Sequence, residues 1–295
     1  MYSRSLRYSA VVLAAVLSLP ACMLNLSAEP FTEREEKKYE VQGKADVTLI
    51  TFDGSIEIQS WDRSEVAVTI ERRAANEEAL RSLRVDATHE GNRVRIEVIK
   101  PDGFDLGMSP SASLKVSLPR TSDVEARSGD GSIRIGDVSG RITLRSGDGS
   151  IKGTALQGEL AAHTGDGSIA LEGISGRVTV DTGDGSVSVD GVMQAVNART
   201  GDGSIRIRAL PESAMVEDWS VTTGDGGMTV ELPERFSADV DATTGDGRIT
   251  VEGLQVTVAD GGVSERDELK GRLGSGGRTL RLRTGDGSIR LRASS

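Results

Sequence analysis

The chain has 295 residues, a formal net charge of −10 and a single cysteine. The acidic balance excludes the basic footprint that nucleic-acid binding needs, and one cysteine excludes an intrachain disulfide. Aromatics are only 3% against 36 glycines, so a core must come from Ile, Val and Leu, which favours stacked strands over a conventional globule.

In chain order, the first element is an export signal over 1–21. "MYSRSLR" is basic, and "YSAVVLAAVLSL" is apolar but too short to span a bilayer. "LPAC" then ends at Cys22 and resembles the bacterial lipobox, which implies lipidation of Cys22 and a palmitate-bearing membrane anchor. Met23 follows the cysteine where an aspartate would signal retention, so the resemblance implies an outer-membrane or cell-surface address in a two-membrane cell. Residues 22–38 read as the lipidated cysteine and its tether.

From 39 to 127 the pattern is strand-like with irregular, wider connections: "VTLITFDGSIEIQSW", "SEVAVTIERR", "NRVRIEVIK" and "ASLKVSLPR". Between them "AANEEALRSL" predicts a short capping helix, with Asn76 placed near its start.

Residues 128–211 are regular. "SGDGSI" or "TGDGS" recurs with its aspartates at Asp130, Asp148, Asp166, Asp184 and Asp202, every interval being 18 residues. Such a period marks an array in which each repeat buries its face only against its neighbours. Two apolar-x-apolar dyads per period, as in Ile133/Ile135 and Ile142/Leu144, predict two short strands per coil. The expected fold is therefore all-β: a single-stranded parallel β-solenoid of 18-residue coils stacked about 4.8 Å apart. Val138, Leu156, Ile174, Val192 and Leu210 are expected to close the core at the second turn. The glycine pairs Gly129/Gly131, Gly147/Gly149, Gly165/Gly167, Gly183/Gly185 and Gly201/Gly203 read as turn-structural, taking positive φ and leaving no side chain to strike the next rung. Looser copies at Asp225, Asp246 and Asp286, with a polar insertion at 261–277, make 212–295 an irregular C-terminal cap.

The aspartate row raises the functional question. Carboxylates at rung spacing repel by on the order of 1 kcal/mol per neighbour in water-like surroundings. The favoured reading is turn chemistry, with backbone N–H groups, Ser/Thr hydroxyls and nearby Arg134, Lys152 and Arg206 offsetting the repulsion. The alternative is a row of Ca²⁺ ions held by Asp130, Asp148, Asp166, Asp184 and Asp202. The calcium nonapeptide repeat places its acid two before the core aliphatic and in both turns; here it is three before, in one turn only. An enzyme is not expected: His89 and His163 lack partner patterns, "GDG" lacks a P-loop lysine, and identical repeated acids are not a differentiated pair. His163 reads as an outward strand residue, and Trp61 and Trp219 as packing residues.

The order "DGSIEIQSWD", "RAANEEALRSLRV", "SLPR" and then repeated "SGDGSI" resembles the bacterial putative-adhesin family of β-strand-repeat proteins, a domain family of unknown function, over nearly all of 39–295. The resemblance implies a surface-binding role and supplies no binding residues. The expectation is a non-enzymatic cell-envelope lipoprotein: a rigid module for adhesion or interaction, with an envelope or surface partner, no cofactor, and end-to-end self-association as a further option.

Overall fold

The computed structural model describes residues 30–99, 110–258 and 263–294. The expected export signal, Cys22 and the start of the tether lie outside the described residues. The first elements are β1 (Phe31–Glu40), β2 (Ala45–Thr51), β3 (Ile56–Trp61), β4 (Glu65–Ala74), α1 (Glu77–Ser82), β5 (Arg84–Glu90), β6 (Arg93–Ile99), β7 (Ser111–Pro119) and β8 (Ser122–Ser128). Strict alternation sets the strands: β2 buries Ala45, Val47 and Leu49, and β4 buries Val66, Val68 and Ile70. The tether expected up to residue 38 gives way to strand β1 from Phe31, because all ten residues of β1 pair antiparallel with β4. Helix α1 starts where Asn76 Oδ1 accepts from Ala79 N at 2.7 Å, with Glu77 and Glu78 in its first turn and Arg81 in its last.

From β8 onward each coil is a rung turning at its aspartate. A leading strand enters the turn and a trailing strand leaves it. Leading strands pair in parallel at an 18-residue offset, as in Val124↔Ile142 and Ile142↔Leu160. Trailing strands do the same, as in Ile133↔Ile151 and Ile151↔Ile169. In-register stacking sets like residues over like, so Ile56, Ile133, Ile151, Ile169, Val187, Ile205, Met228 and Ile289 form one apolar column, each at most 2% exposed. Each such burial contributes about 1.5–3 kcal/mol.

Three expectations are corrected. First, the sheet is mixed. Parallel rungs occupy the middle, but β1–β4, β4–β7 and β5–β6 are antiparallel at one end, and Ala238–Thr244 pairs antiparallel with Glu268–Leu273 at the other. Short connections such as the one between β5 and β6 permit only antiparallel neighbours. Second, two rungs run as continuous strands through the second turn: Ile169–Thr182, which keeps a positive-φ corner at Gly173, and Val187–Thr200, which is one residue shorter at that corner, with register shifts at Leu171/Ile174 and Gly176/Arg177. That one-residue shift turns Met193 into the core, fully buried, and leaves Val192 half-buried. Leu210 is also half-buried; there Ser213 is buried instead, donating to Gly191 O at 3.2 Å and accepting from Met193 N at 3.0 Å.

Third, spatial order departs from chain order at the C-terminal end. Trp219–Thr223 and Met228–Leu232 pair with the last two strands of the chain, Thr279–Thr284 and Ile289–Ala293. The Asp246 rung, Ala238–Thr244 with Ile249–Glu252, stacks outside that pair. The final rung is thus inserted between two earlier ones rather than capping them. Trp219 is fully buried against Phe236, with ring centroids 5.3 Å apart, and its Nε1 donates to Gln194 O at 3.3 Å.

Candidate functional site

The stacked order brings nine turn aspartates into one row: Asp53, Asp130, Asp148, Asp166, Asp184, Asp202, Asp225, Asp286 and Asp246. All but the half-buried Asp53 are exposed, and among the described residues none of the nine carboxylates has an ion-pair or hydrogen-bond partner. The bases expected to offset them point elsewhere. Arg206 donates to Glu231 at 3.0 Å, and Arg134 and Lys152 have no ion pair among the described residues; all three lie on the outer face of the trailing strands.

The backbone beneath the row holds it in place. The first glycine of each turn donates to its counterpart one rung earlier: Gly147 N to Gly129 O, Gly165 N to Gly147 O and Gly183 N to Gly165 O, each at 2.5 Å. The second glycine packs closer still. A Cβ on Gly149 would sit 2.3 Å from Gly131 O, and one on Gly167 2.4 Å from Gly149 O. On Gly185 it would lie 2.1 Å from Gly167 O, and on Gly203 2.1 Å from Gly185 O.

Positive φ was expected at Gly129, Gly131, Gly147, Gly149, Gly165, Gly167, Gly183, Gly185, Gly201 and Gly203, and none of the ten is in the left-handed region. Their requirement is close approach of backbone to backbone, not positive φ, which corrects that part of the expectation. Gly149, Gly167, Gly185 and Gly203 are themselves buried, under the turn rather than on its surface.

The residue two before each aspartate forms a second ladder whose reach the motif alone does not reveal. Thr164 Oγ1 meets Gly147 O at 3.0 Å and Gly149 O at 2.9 Å; Thr182 and Thr200 repeat the pattern one and two rungs on. Ser128 and Ser146 also accept, from Gly131 N at 3.0 Å and Gly149 N at 3.1 Å. These hydroxyls are buried, so each stitches two rungs together where water cannot substitute. The recurring hydroxyl at this position was the signal, but a turn motif suggests contacts within its own turn.

Among the described residues no group of three or more His, Cys, Asp or Glu side chains converges to hold a metal ion. A second polar feature lies on the trailing-strand face, where Asp190, Arg208, Glu231 and Arg292 occupy one position on four stacked rungs. Glu231 is 7% exposed and accepts from Arg206 at 3.0 Å and Arg292 at 2.5 Å, at the floor of a 550 Å³ depression. Three acids and three arginines line that depression and neutralise one another. His163 faces outward, its Nδ1 3.0 Å from Asp181 Oδ2. Near the start of the first regular rung, burial alone would raise the Asp123 carboxyl, but hydrogen bonds from Lys44 Nζ and Arg141 N, both at 2.7 Å, hold it below its ordinary range.

The stacked turns and both ends of the array fall inside one family model, which matches residues 35–292. The chain belongs to the Toastrack DUF4097 family. No curated protein matches this Toastrack chain. Solved structures similar to it include one described as a lipid binding protein (putative) from Parabacteroides distasonis, 15% identical, covering 88% of this chain and 96% of its own, with a TM-score of 0.45. A putative adhesin from Bacteroides fragilis is 10% identical over 88% of this chain and 97% of its own, with a TM-score of 0.42. A putative cell adhesion protein from Clostridium sporogenes is 13% identical over 90% of this chain and all of its own, with a TM-score of 0.29.

Proposed function

We propose that this Toastrack protein is an exported, Cys22-anchored envelope lipoprotein whose body is a rigid β-solenoid serving as a non-enzymatic adhesion or interaction module. The observation that carries the reading is the row of nine carboxylates along one edge, without ion-pair partners among the described residues and held by a backbone that cannot move without breaking inter-rung bonds. A stiff array of identical weak sites favours partners that carry repeated cationic or hydrogen-bonding groups, because each contact after the first is intramolecular. Identical acids at equal spacing offer no differentiated acid and base, so the reading assigns the row no reaction.

The test is attachment under flow. Cells lacking the protein are compared with cells carrying the full chain, and with cells carrying Asp148→Asn, Asp166→Asn, Asp184→Asn and Asp202→Asn together. Attachment restored by the full chain and not by the fourfold variant is the expected result. Attachment unchanged by loss of the protein ends the adhesive reading. For the anchor, Cys22→Ser is expected to move the protein out of the membrane fraction; unchanged fractionation overturns it.

The second reading is Ca²⁺ between successive carboxylates, favoured by the same uncompensated row. A ligand bound only by the native state raises its thermal midpoint. Melts of the full chain in millimolar Ca²⁺ and in chelator separate the two readings: a rise abolished by Asp166→Asn with Asp184→Asn supports calcium, and coincident curves remove it.

A further inference from the structure

We infer that β1 is a dimerisation edge, pairing antiparallel with β1 of a second copy of this chain about a two-fold axis at Lys37. β1 pairs with β4 on one side only. The hydrogen bond from Val41 N to Ser64 O, at 3.0 Å, continues the β1–β4 register, so odd-numbered residues bond to β4. Thr32, Arg34, Glu36, Lys38 and Glu40 therefore aim their N–H and C=O groups outward, and all five are exposed. Among the described residues these backbone groups have no partner.

This edge also stands proud of its surroundings. Beyond β3 the trailing-strand side carries three further strands, β7, β4 and β1; beyond β2 the other side carries two, β6 and β5. A second molecule thus reaches β1 before it reaches β5.

Charge order selects the occupant. The outward residues read Arg34 (+), Glu36 (−), Lys38 (+) and Glu40 (−). An axis at Lys37 sets Arg34 against Glu40 of the second copy and Glu36 against its Lys38, so every outward charge meets its opposite. An axis at Glu36 sets Glu36 against itself and Arg34 against Lys38, so that register is rejected. The inner face brings Lys37 to its own copy, the one like-charge contact, and each Lys37 keeps Glu35 at 2.7 Å. What must be exchanged is weak: Lys38 and Glu36 now pair with each other at 3.4 Å, each 55% exposed, and Arg34 and Glu40 have no ion partner among the described residues. A charged edge ordinarily deters strand addition; alternating sign lets this one deter other strands while accepting itself. A two-fold contact closes, giving a dimer and no filament. At the far end the corresponding strand is the four-residue Ile249–Glu252, and Ile249 N is already taken by Arg266 O at 2.8 Å.

The experiment is light scattering on the full chain in detergent at low salt, reading protein mass from 1 to about 100 µM, a range suited to weak strand pairing. The wild type is expected to dimerise. Glu36→Lys alone and Lys38→Glu alone each create two like-charge contacts and weaken association about tenfold or more. Mixing the two variants restores the dimer, since the lysine introduced in one chain then meets the glutamate introduced in the other. Lys37→Cys is expected to form a disulfide between copies under mild oxidant, and Arg34→Cys is not. A monomeric wild type throughout, single variants that dimerise as well as wild type, or a mixture that stays monomeric overturns the proposal. All these positions are on β1, at the rim of the sheet, and circular dichroism verifies that the variants remain folded.

Discussion

The two turns of a rung obey different rules. At the aspartate turn, successive backbones touch: glycine bonds to glycine, a buried hydroxyl bridges two rungs, and nearly the same hexapeptide returns each time. At the second turn the chain varies. Asp137, Ala155 and Gly173 all take positive φ there (63°, 52° and 64°), while the following rung shifts register and dispenses with the turn. The lesson is that repetition in sequence follows backbone contact, not exposure. Where main chain meets main chain no side chain fits, and beside the second turn Gly140, Gly158 and Gly176 obey the same rule, a Cβ on each lying 2.1–2.3 Å from a carbonyl oxygen one rung earlier; the corner residues before them, which make no such contact, accept several solutions.

The largest effect is expected from Gly149→Ala. Its Cβ would lie 2.3 Å from Gly131 O, so the rungs must part, at a cost of about 3 kcal/mol or more. Gly173→Ala at the second turn meets nothing nearer than 3.6 Å and costs only the left-handed penalty, about 1 kcal/mol. Chemical denaturation of the two variants tests the contrast, and equal losses would break it. Next comes Thr182→Val, which keeps shape but leaves Gly167 O without its hydroxyl donor, while Gly165 O retains Gly183 N; about 1–3 kcal/mol of stability is expected to go, again by denaturation. Asp123→Asn sharpens the junction. Because its carboxyl is held below its ordinary range, its contribution is present above the unfolded pKa and fades as pH falls through the lower folded value. The difference in melting temperature between wild type and variant should therefore be full near neutrality and vanish in acid. The smallest effect is Ala155→Gly, expected to raise stability by about 0.5–1 kcal/mol by relieving a left-handed alanine.

The strands, their faces and the short helix were legible because burial imposes period two on residues such as Val66, Val68 and Ile70, and because Asn76 is a chemically explicit cap. The aspartate row was legible as far as Asp202, where the spacing is constant. Beyond it the eye continues Asp225, Asp246, Asp286, while the stack runs Asp225, Asp286, Asp246. Nothing local distinguishes these rungs; the choice is made by which strand faces fit between Trp219 and Val240, a matter of tertiary packing. Glu231 and its arginines were hidden for a related reason, since they come from separate rungs and share no motif.

The interleaved last rung bears on how the molecule is made. Most of the array can assemble in the order of synthesis, each coil laid on the one before. Ala238–Thr244 and Ile249–Glu252, however, have their parallel partners in Thr279–Thr284 and Ile289–Ala293, at the very end of the chain. Until those residues emerge, the Asp225 and Asp246 rungs have a gap between them and two bare ladders facing it. The terminal segment then slots in as a keystone, a long-range closure that is slow compared with the coil-by-coil growth before it. A chain cut short by some fifteen residues loses no motif from the regular region, yet it is left with an open, adhesive seam where the finished protein has none.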